Sequence, residues 1–258
     1  MVLFFSDMHL GRGPASADRR QERDLVACLQ AQFEATSHLY LLGDVFEAFI
    51  EHRAYVQKNR MQLYAELMRW TSSSRPVTYL LGNHDPWHID FMGHELGVRV
   101  VDGAWRARHH GQLLHLVHGD TVASTHGILG QWMRWAMRDA RAVAAYRTLL
   151  PADWGLALAE WASRALHGPP DPEVVQSLRA YAKHMLTSAP VSAVLMGHSH
   201  VPELTQWKVG TYLNTGNWYE KRTFVRLTHD RWHLMHWNGA DAIPIKTAPV
   251  STPSETGT

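Results

Sequence analysis

Only one cysteine, Cys28, occurs in the 258 residues, so no intramolecular disulfide can form and no thiolate set exists for a closed structural zinc site. No stretch approaches the roughly 18 consecutive apolar residues of a membrane-spanning helix. An excess of one charge is also missing. Lys and Arg total 25 against 24 for Asp and Glu, a formal net charge of +1, so nothing marks a long polyanion as the main partner and no nucleic acid is expected. Residues 2–5 are apolar and run straight into Asp7, with no basic segment before them; a secretory leader needs both a basic start and a longer apolar run. The expectation is a cytoplasmic protein without a transmembrane helix.

Tryptophan and histidine, at 11 and 18 residues, are well above ordinary usage. Short apolar runs at 2–5, 39–42, 77–81, 113–117 and 191–196 read as buried strands. Helical patterns at 18–33 and 55–70 separate the first three, which gives the βαβαβ alternation of an α/β protein. Runs at 212–214, 223–227 and 232–237 are joined only by turns, as antiparallel strands are. A layered α/β sandwich over 1–240 accommodates both halves. Residues 121–188 break the strand rhythm with three helical stretches, at 128–149, at 154–166 and a third opened by Asp171 and Pro172 as N-cap and first helical residue. These are read as a helical insertion. The tail at 241–258 is rich in Thr, Pro and Ser and is expected to be disordered.

Each of the five apolar runs ends in metal-ligating residue types: Asp7-Met8-His9, Gly43-Asp44, Gly82-Asn83-His84-Asp85, His118-Gly119-Asp120 and Gly197-His198-Ser199-His200. Singly these are weak signals, because Asp-x-His is usually a capping or surface pair and Gly-Asn-His-Asp a turn. Jointly they decide the reading. Ligands bind beyond the carboxyl ends of strands in α/β sheets, so these groups should converge. Carboxylate, imidazole and amide oxygen together suit Mn, Fe, Zn or Co. The ligand count suits two divalent ions, which at a separation of about 3.5–4 Å can share a carboxylate and a hydroxide that attacks phosphorus.

In these motifs the chain resembles the calcineurin-like metallophosphoesterases, from Asp7 to His200. The resemblance implies a two-sheet β-sandwich flanked by helices. It implies one metal on Asp7, His9, Asp44 and His200 and a second on Asp44, Asn83, His118 and His198, with Asp44 bridging. His84 would face the leaving group and phosphate oxygens, supported by Asp85.

Three segments, Gly43-Asp44-Val45-Phe46-Glu47-Ala48-Phe49, Gly82-Asn83-His84-Asp85-Pro86-Trp87 and Leu150-Pro151-Ala152-Asp153-Trp154-Gly155-Leu156, are similar to the UDP-2,3-diacylglucosamine pyrophosphatases of lipid A synthesis. That resemblance implies cleavage to UMP and 2,3-diacylglucosamine 1-phosphate, manganese as the metal, transient contact with the cytoplasmic face of the inner membrane, and a helical cap where the insertion lies. Leu129, Trp132, Met133, Ala136, Ala140, Val143 and Ala144 form an apolar stripe, and Arg134, Arg138 and Arg141 recur on another face. Such a helix suits acyl chains or anionic headgroups, although Trp132, Trp135, Trp154 and Trp161 would equally serve to pack the cap on the body. Ser163 and Arg164 match a Trp-Ser-Arg element of those enzymes, and with Asp120 they are the candidate substrate contacts. One departure is His84, where many of these enzymes carry Arg. That leaves open a generic phosphoesterase acting on a soluble nucleotide or phosphoprotein, and, in another class, a non-catalytic scaffold. His109, His110, His115, His126 and His184 match no ligand motif and read as surface or structural residues.

Overall fold

The computed structural model describes residues 1–53, 55–122, 139–166 and 168–250. Strand β1 (Val2–Phe5) lies in a seven-stranded sheet beside β2 (His38–Leu42), β3 (Val77–Leu80) and β4 (Arg99–Val101), all parallel. On its other side β10 (Thr223–Leu227), β11 (Arg231–Trp237) and β12 (Ala242–Pro249) follow antiparallel, giving the order β12-β11-β10-β1-β2-β3-β4. The second sheet, in the order β5-β6-β7-β9-β8, contains β5 (Trp105–His109), β6 (Gln112–Leu116), β7 (Ala193–Met196), β8 (Glu203–Trp207) and β9 (Gly210–Asn214).

Period-two alternation explains how one strand serves two cores. Leu3 and Phe5 of β1, with Leu39 and Leu41 of β2, pack beneath α1 (Ala15–Gln32) and α2 (Met61–Ser72), against Leu25, Leu29, Leu63, Leu67 and Trp70. Val2, Phe4, Tyr40 and Leu42 point the other way and meet Leu114, Leu116, Leu195 and Leu213 of the second sheet. The sequence therefore reads as continuously apolar because both faces of these strands are covered.

The helices in chain order are α3 (Phe91–His94), α4 (Ala140–Leu149), α5 (Ala152–Leu166) and α6 (Pro172–Ser188). Asp171 caps α6 by accepting the Glu173 N–H at 2.8 Å, with Pro172 in the first turn. This helix is not part of an insertion over the site. Leu178, Ala182 and Leu186 pack on Val194, Met196 and Tyr212, so α6 is the fourth layer of an α/β/β/α sandwich, and the excursion from the body ends before it. Of the expected helix at 128–149, residues 128–138 lie outside those described. The helix expected at 55–70 begins only at Met61, after a single 3₁₀ turn at Lys58–Arg60. There Arg60 is wholly buried in an ion pair with Asp18, which fixes the chain before α2 starts.

The expectation of a disordered tail from residue 241 is corrected over 242–249, which pair with β11 as β12 across a bulge at Leu234 and Met235. Composition spoke for disorder, but β11 would otherwise leave a row of backbone groups unpaired. Pro244 and Pro249 are tolerated because β12 is an edge strand. Residues 251–258 lie outside those described. As a test of the layer assigned to α6, Leu178→Ala should cost about 3 kcal/mol in denaturant unfolding, the cost of a cavity in a sealed core. A loss under about 1 kcal/mol would return α6 to a loosely attached cap.

Candidate metal centre

The five motifs meet at one end of the sandwich, where β1, β2 and β3 of the first sheet and β6 and β7 of the second all finish. Backbone bonds hold the ends together: Asp7 N–H donates to Gly43 O at 3.1 Å, Met8 N–H to Asp44 O at 2.8 Å and Gly197 N–H to His118 O at 3.0 Å. Between the sheets the His118 ring donates from Nδ1 to the carbonyl of Leu42 at 2.7 Å.

Five of the candidate ligand residues lie in the left-handed region, with φ of 51° at Asp7, 46° at His9, 53° at Asp44, 66° at His198 and 58° at His200. Such positions cost of order 1–3 kcal/mol each for a residue with a side chain and persist where the surroundings over-determine them. Here they turn each chain sharply at the strand end, so that the side chain folds back into the cleft. Gly82 serves close approach instead, since a Cβ there would fall 2.5 Å from the Asp44 backbone nitrogen and against its carboxylate.

The donor atoms fit metal ions. Two groups of three share Asp44, namely His9, Asp44 and His84, and Asp44, His118 and His198; a further group is Asp7, His9 and His200, with the donor atoms of each group within 4.8 Å of one another. The Nε2 atoms of His9 and His200 face each other at 3.1 Å, and Asp7 Oδ1 is buried without a well-aligned hydrogen bond although His200 Nε2 lies 3.1 Å away. His118 Nε2 stands 3.3 Å from Asp44 Oδ2 and 3.2 Å from Asn83 Oδ1. His9 Nδ1 lies 3.0 Å from Glu47 Oε2, so the imidazole is set beside a buried carboxylate, while its Nε2 faces the cleft at 3.1 Å from His200 Nε2.

Electrostatics lead the same way. Burial would raise the pKa of Asp7, but the imidazoles of His200 and His118 outweigh it and hold the carboxyl at about 2. Asp44 is likewise held well below the usual carboxylate range against its burial, by His118 and His84. Burial would lower His118, yet the charges of Asp44 and Asp7 draw it well above the ordinary imidazole value. His9 and His198 are pushed down to about 4, chiefly by burial. The cleft thus sets two ionised carboxylates beside His9 and His198, which burial keeps neutral, and draws positive charge to His118.

All the residues expected as ligands are brought together. Of those expected around them, His84 is present, with Nε2 at 3.9 Å from Asp44 Oδ2. Asp85 is present in a different role. Its carboxylate accepts from the backbone N–H groups of Asp44 at 3.2 Å, Val45 at 2.7 Å, Phe46 at 3.4 Å and Gly82 at 2.9 Å, and from the Tyr79 hydroxyl. It therefore staples the β2 turn to the β3 turn and does not hold the His84 ring. Burial, and next the charge of Asp44, push its pKa up to about 6. Ser163, from α5, reaches His84 and Glu47. Asp120 is buried and its charge bears on His118 and His198. Arg164 follows Ser163 in α5. Trp132, Trp135, Arg134 and Arg138 lie outside the described residues.

Glu47 was given no role on the sequence, though it stands in the segment after Asp44. It is fully buried and touches His9, Ser163 and Arg12, the last at 3.2 Å. Burial works to raise its pKa, but the close approach of the His9 imidazole, the nearby His84 and the Ser163 hydroxyl bring it down to about 2.

Asp85→Ala, which removes the acceptor of four backbone N–H groups, is expected to weaken divalent-ion binding by about 10–100-fold in calorimetric titration. Unaltered affinity would show that the Asp44 turn holds itself.

Residues 1–202 match the family model described as calcineurin-like phosphoesterase. The chain is 27% identical over 250 residues to the UDP-2,3-diacylglucosamine hydrolase of Stenotrophomonas maltophilia, covering 90% of this chain and 97% of that one. It is 29% identical over 119 residues to the protein of that name from Porphyromonas gingivalis, covering 46% and 45%. Among solved structures, Vacuolar Protein Sorting 29 of Cryptosporidium parvum has a similar fold, with a TM-score of 0.50 at 13% identity and 97% of both chains covered. With the family model spanning every strand end that carries a candidate ligand, the chain belongs to the calcineurin-like phosphoesterases.

Proposed function

We propose that this phosphoesterase cleaves the pyrophosphate of UDP-2,3-diacylglucosamine, releasing UMP and 2,3-diacylglucosamine 1-phosphate. The observation that carries the substrate is the near full-length similarity to hydrolases of that name, at 90% of this chain and 97% of theirs. A second observation favours an amphiphile. Leu149, Trp154, Leu158 and Trp161 are 78%, 72%, 46% and 65% exposed, and the last three recur at helical spacing on α5, the same helix that carries Ser163 into the cleft. In this reading Trp154 and Trp161 offer apolar surface to the acyl chains.

Asp7, His9, Asp44 and His200 would hold one divalent ion, and Asp44, Asn83, His118 and His198 the other. Bound there, such ions supply charge neutralisation at the phosphoryl oxygens and activation of water. The protein's own part is orientation and exclusion. His9 and His118 are fixed by Glu47 and by the Leu42 carbonyl, so each presents Nε2 inward. His84, part-exposed at the mouth, presents Nε2 to the phosphoryl group or its leaving oxygen. Manganese is the metal proposed. The proposed location is the cytoplasmic face of the inner membrane; no described helix is long and apolar enough to cross a membrane.

The second reading, a phosphodiesterase of soluble substrates, is favoured by His84 in the position where many of the lipid enzymes carry Arg. The two are separated by hydrolysis of UDP-2,3-diacylglucosamine in detergent with manganese, following UMP release against an Asp44→Ala control. UMP from the wild type alone is expected; cleavage of only a soluble aryl phosphodiester would discard the lipid. Asp44→Ala should also lose most bound metal, because one carboxylate serves both groups of donors. His84→Ala should lower turnover about 100-fold or more with metal content intact. Loss of an ion in that variant would make His84 a ligand.

A further inference from the structure

The position of Ser163 decides the protonation pattern of His84. Ser163 Oγ lies 2.6 Å from Glu47 Oε1, and since a carboxylate oxygen only accepts, the single hydroxyl proton is committed to that bond. The same Oγ lies 2.8 Å from His84 Nδ1, so it can only be accepting there. A second acceptor, the Glu47 carbonyl, stands 3.1 Å from that nitrogen. Both partners require a proton on Nδ1. Nε2, 3.9 Å from Asp44 Oδ2, is then the one atom of His84 turned to the cleft.

Ser163 belongs to α5, which leaves the body after β6, whereas Glu47 and His84 stand on the turns after β2 and β3. The arm is seated at a second point, where the Arg147 guanidinium of α4 donates to the Trp87 carbonyl at 2.7 Å and Tyr146 meets the Trp87 ring at 4.8 Å. Glu47 also holds the other side of the same site, at His9 Nδ1.

We infer that Ser163 and Glu47 are positioning residues, a carboxylate–hydroxyl–imidazole relay through which the α4–α5 arm fixes the tautomer and ring plane of His84. The arm thus completes the catalytic machinery as well as covering it. This rests on the reading of the cleft as catalytic, but not on the lipid as substrate.

The test compares wild type, Ser163→Ala and Ser163→Thr, loaded with diamagnetic zinc, by ¹⁵N-histidine NMR, together with steady-state cleavage of bis(4-nitrophenyl) phosphate. In the wild type, His84 should carry its proton on Nδ1, with a downfield, slowly exchanging signal. Ser163→Ala should lose that signal's shift and protection, and kcat should fall about tenfold with KM within about twofold and metal content unchanged. Ser163→Thr, which keeps the hydroxyl, should restore both. A wild-type proton on Nε2, a Ser163→Ala spectrum like the wild type's, or a loss of activity traced to lost metal would overturn the relay. If the wild type cleaves no phosphodiester, the catalytic reading fails on its own, and the NMR comparison still decides whether Ser163 sets the tautomer.

Discussion

Everything at the functional end of this molecule depends on the burial of two ionised carboxylates, Asp7 and Asp44, in one cleft. Both are removed from water, and a buried charge costs several kcal/mol unless opposite charge and hydrogen bonds surround it. The surrounding imidazoles supply part of that compensation, and the charges of Asp44 and Asp7 in turn draw His118 above its ordinary value. The five left-handed backbone turns follow from the same demand, since only by turning sharply can a strand end direct a side chain back over itself.

Around that pair stand two further buried carboxylates, Asp85 and Glu47. Asp85 is spent on backbone N–H groups, tying the β2 turn to the β3 turn. Glu47 is spent on side chains, tying His9 to the arm that carries Ser163. The His118 bond to Leu42 does the corresponding work between the two sheets. Each of these contacts joins segments far apart in the chain, so the precision of the site is a property of the whole sandwich.

The division between what was legible in the sequence and what was not follows that distinction. The convergence of the candidate ligand residues could be anticipated because Asp, Asn and His closing an apolar run are local features, and because these residue types tolerate the left-handed turns most of them occupy. The α/β alternation and the cap of α6 by Asp171 were local in the same sense. Glu47 could not be read, since its partner Ser163 lies 116 residues away. Nor could the role of Asp85, whose motif neighbour His84 suggested a partner that the fold does not provide. The layer of α6 was hidden because an amphipathic pattern says that a helix covers something, but not what. Strand β12 was hidden because its Pro- and Thr-rich composition gives way to pairing with an edge that exists only after β11 has formed.

Strands β6 and β7 are parallel neighbours, and the chain must pass over the sheet to join them. Among the described residues α6 is the helix of that crossover packed on the sheet, while α4 and α5 belong to the connection before it. The arm can therefore be lengthened, shortened or exchanged over evolutionary time without disturbing strand register or the ligands at either end. What such exchange does not leave free is the residue facing His84, so a recombined arm has to bring its own hydroxyl to the same place or inherit a slower enzyme.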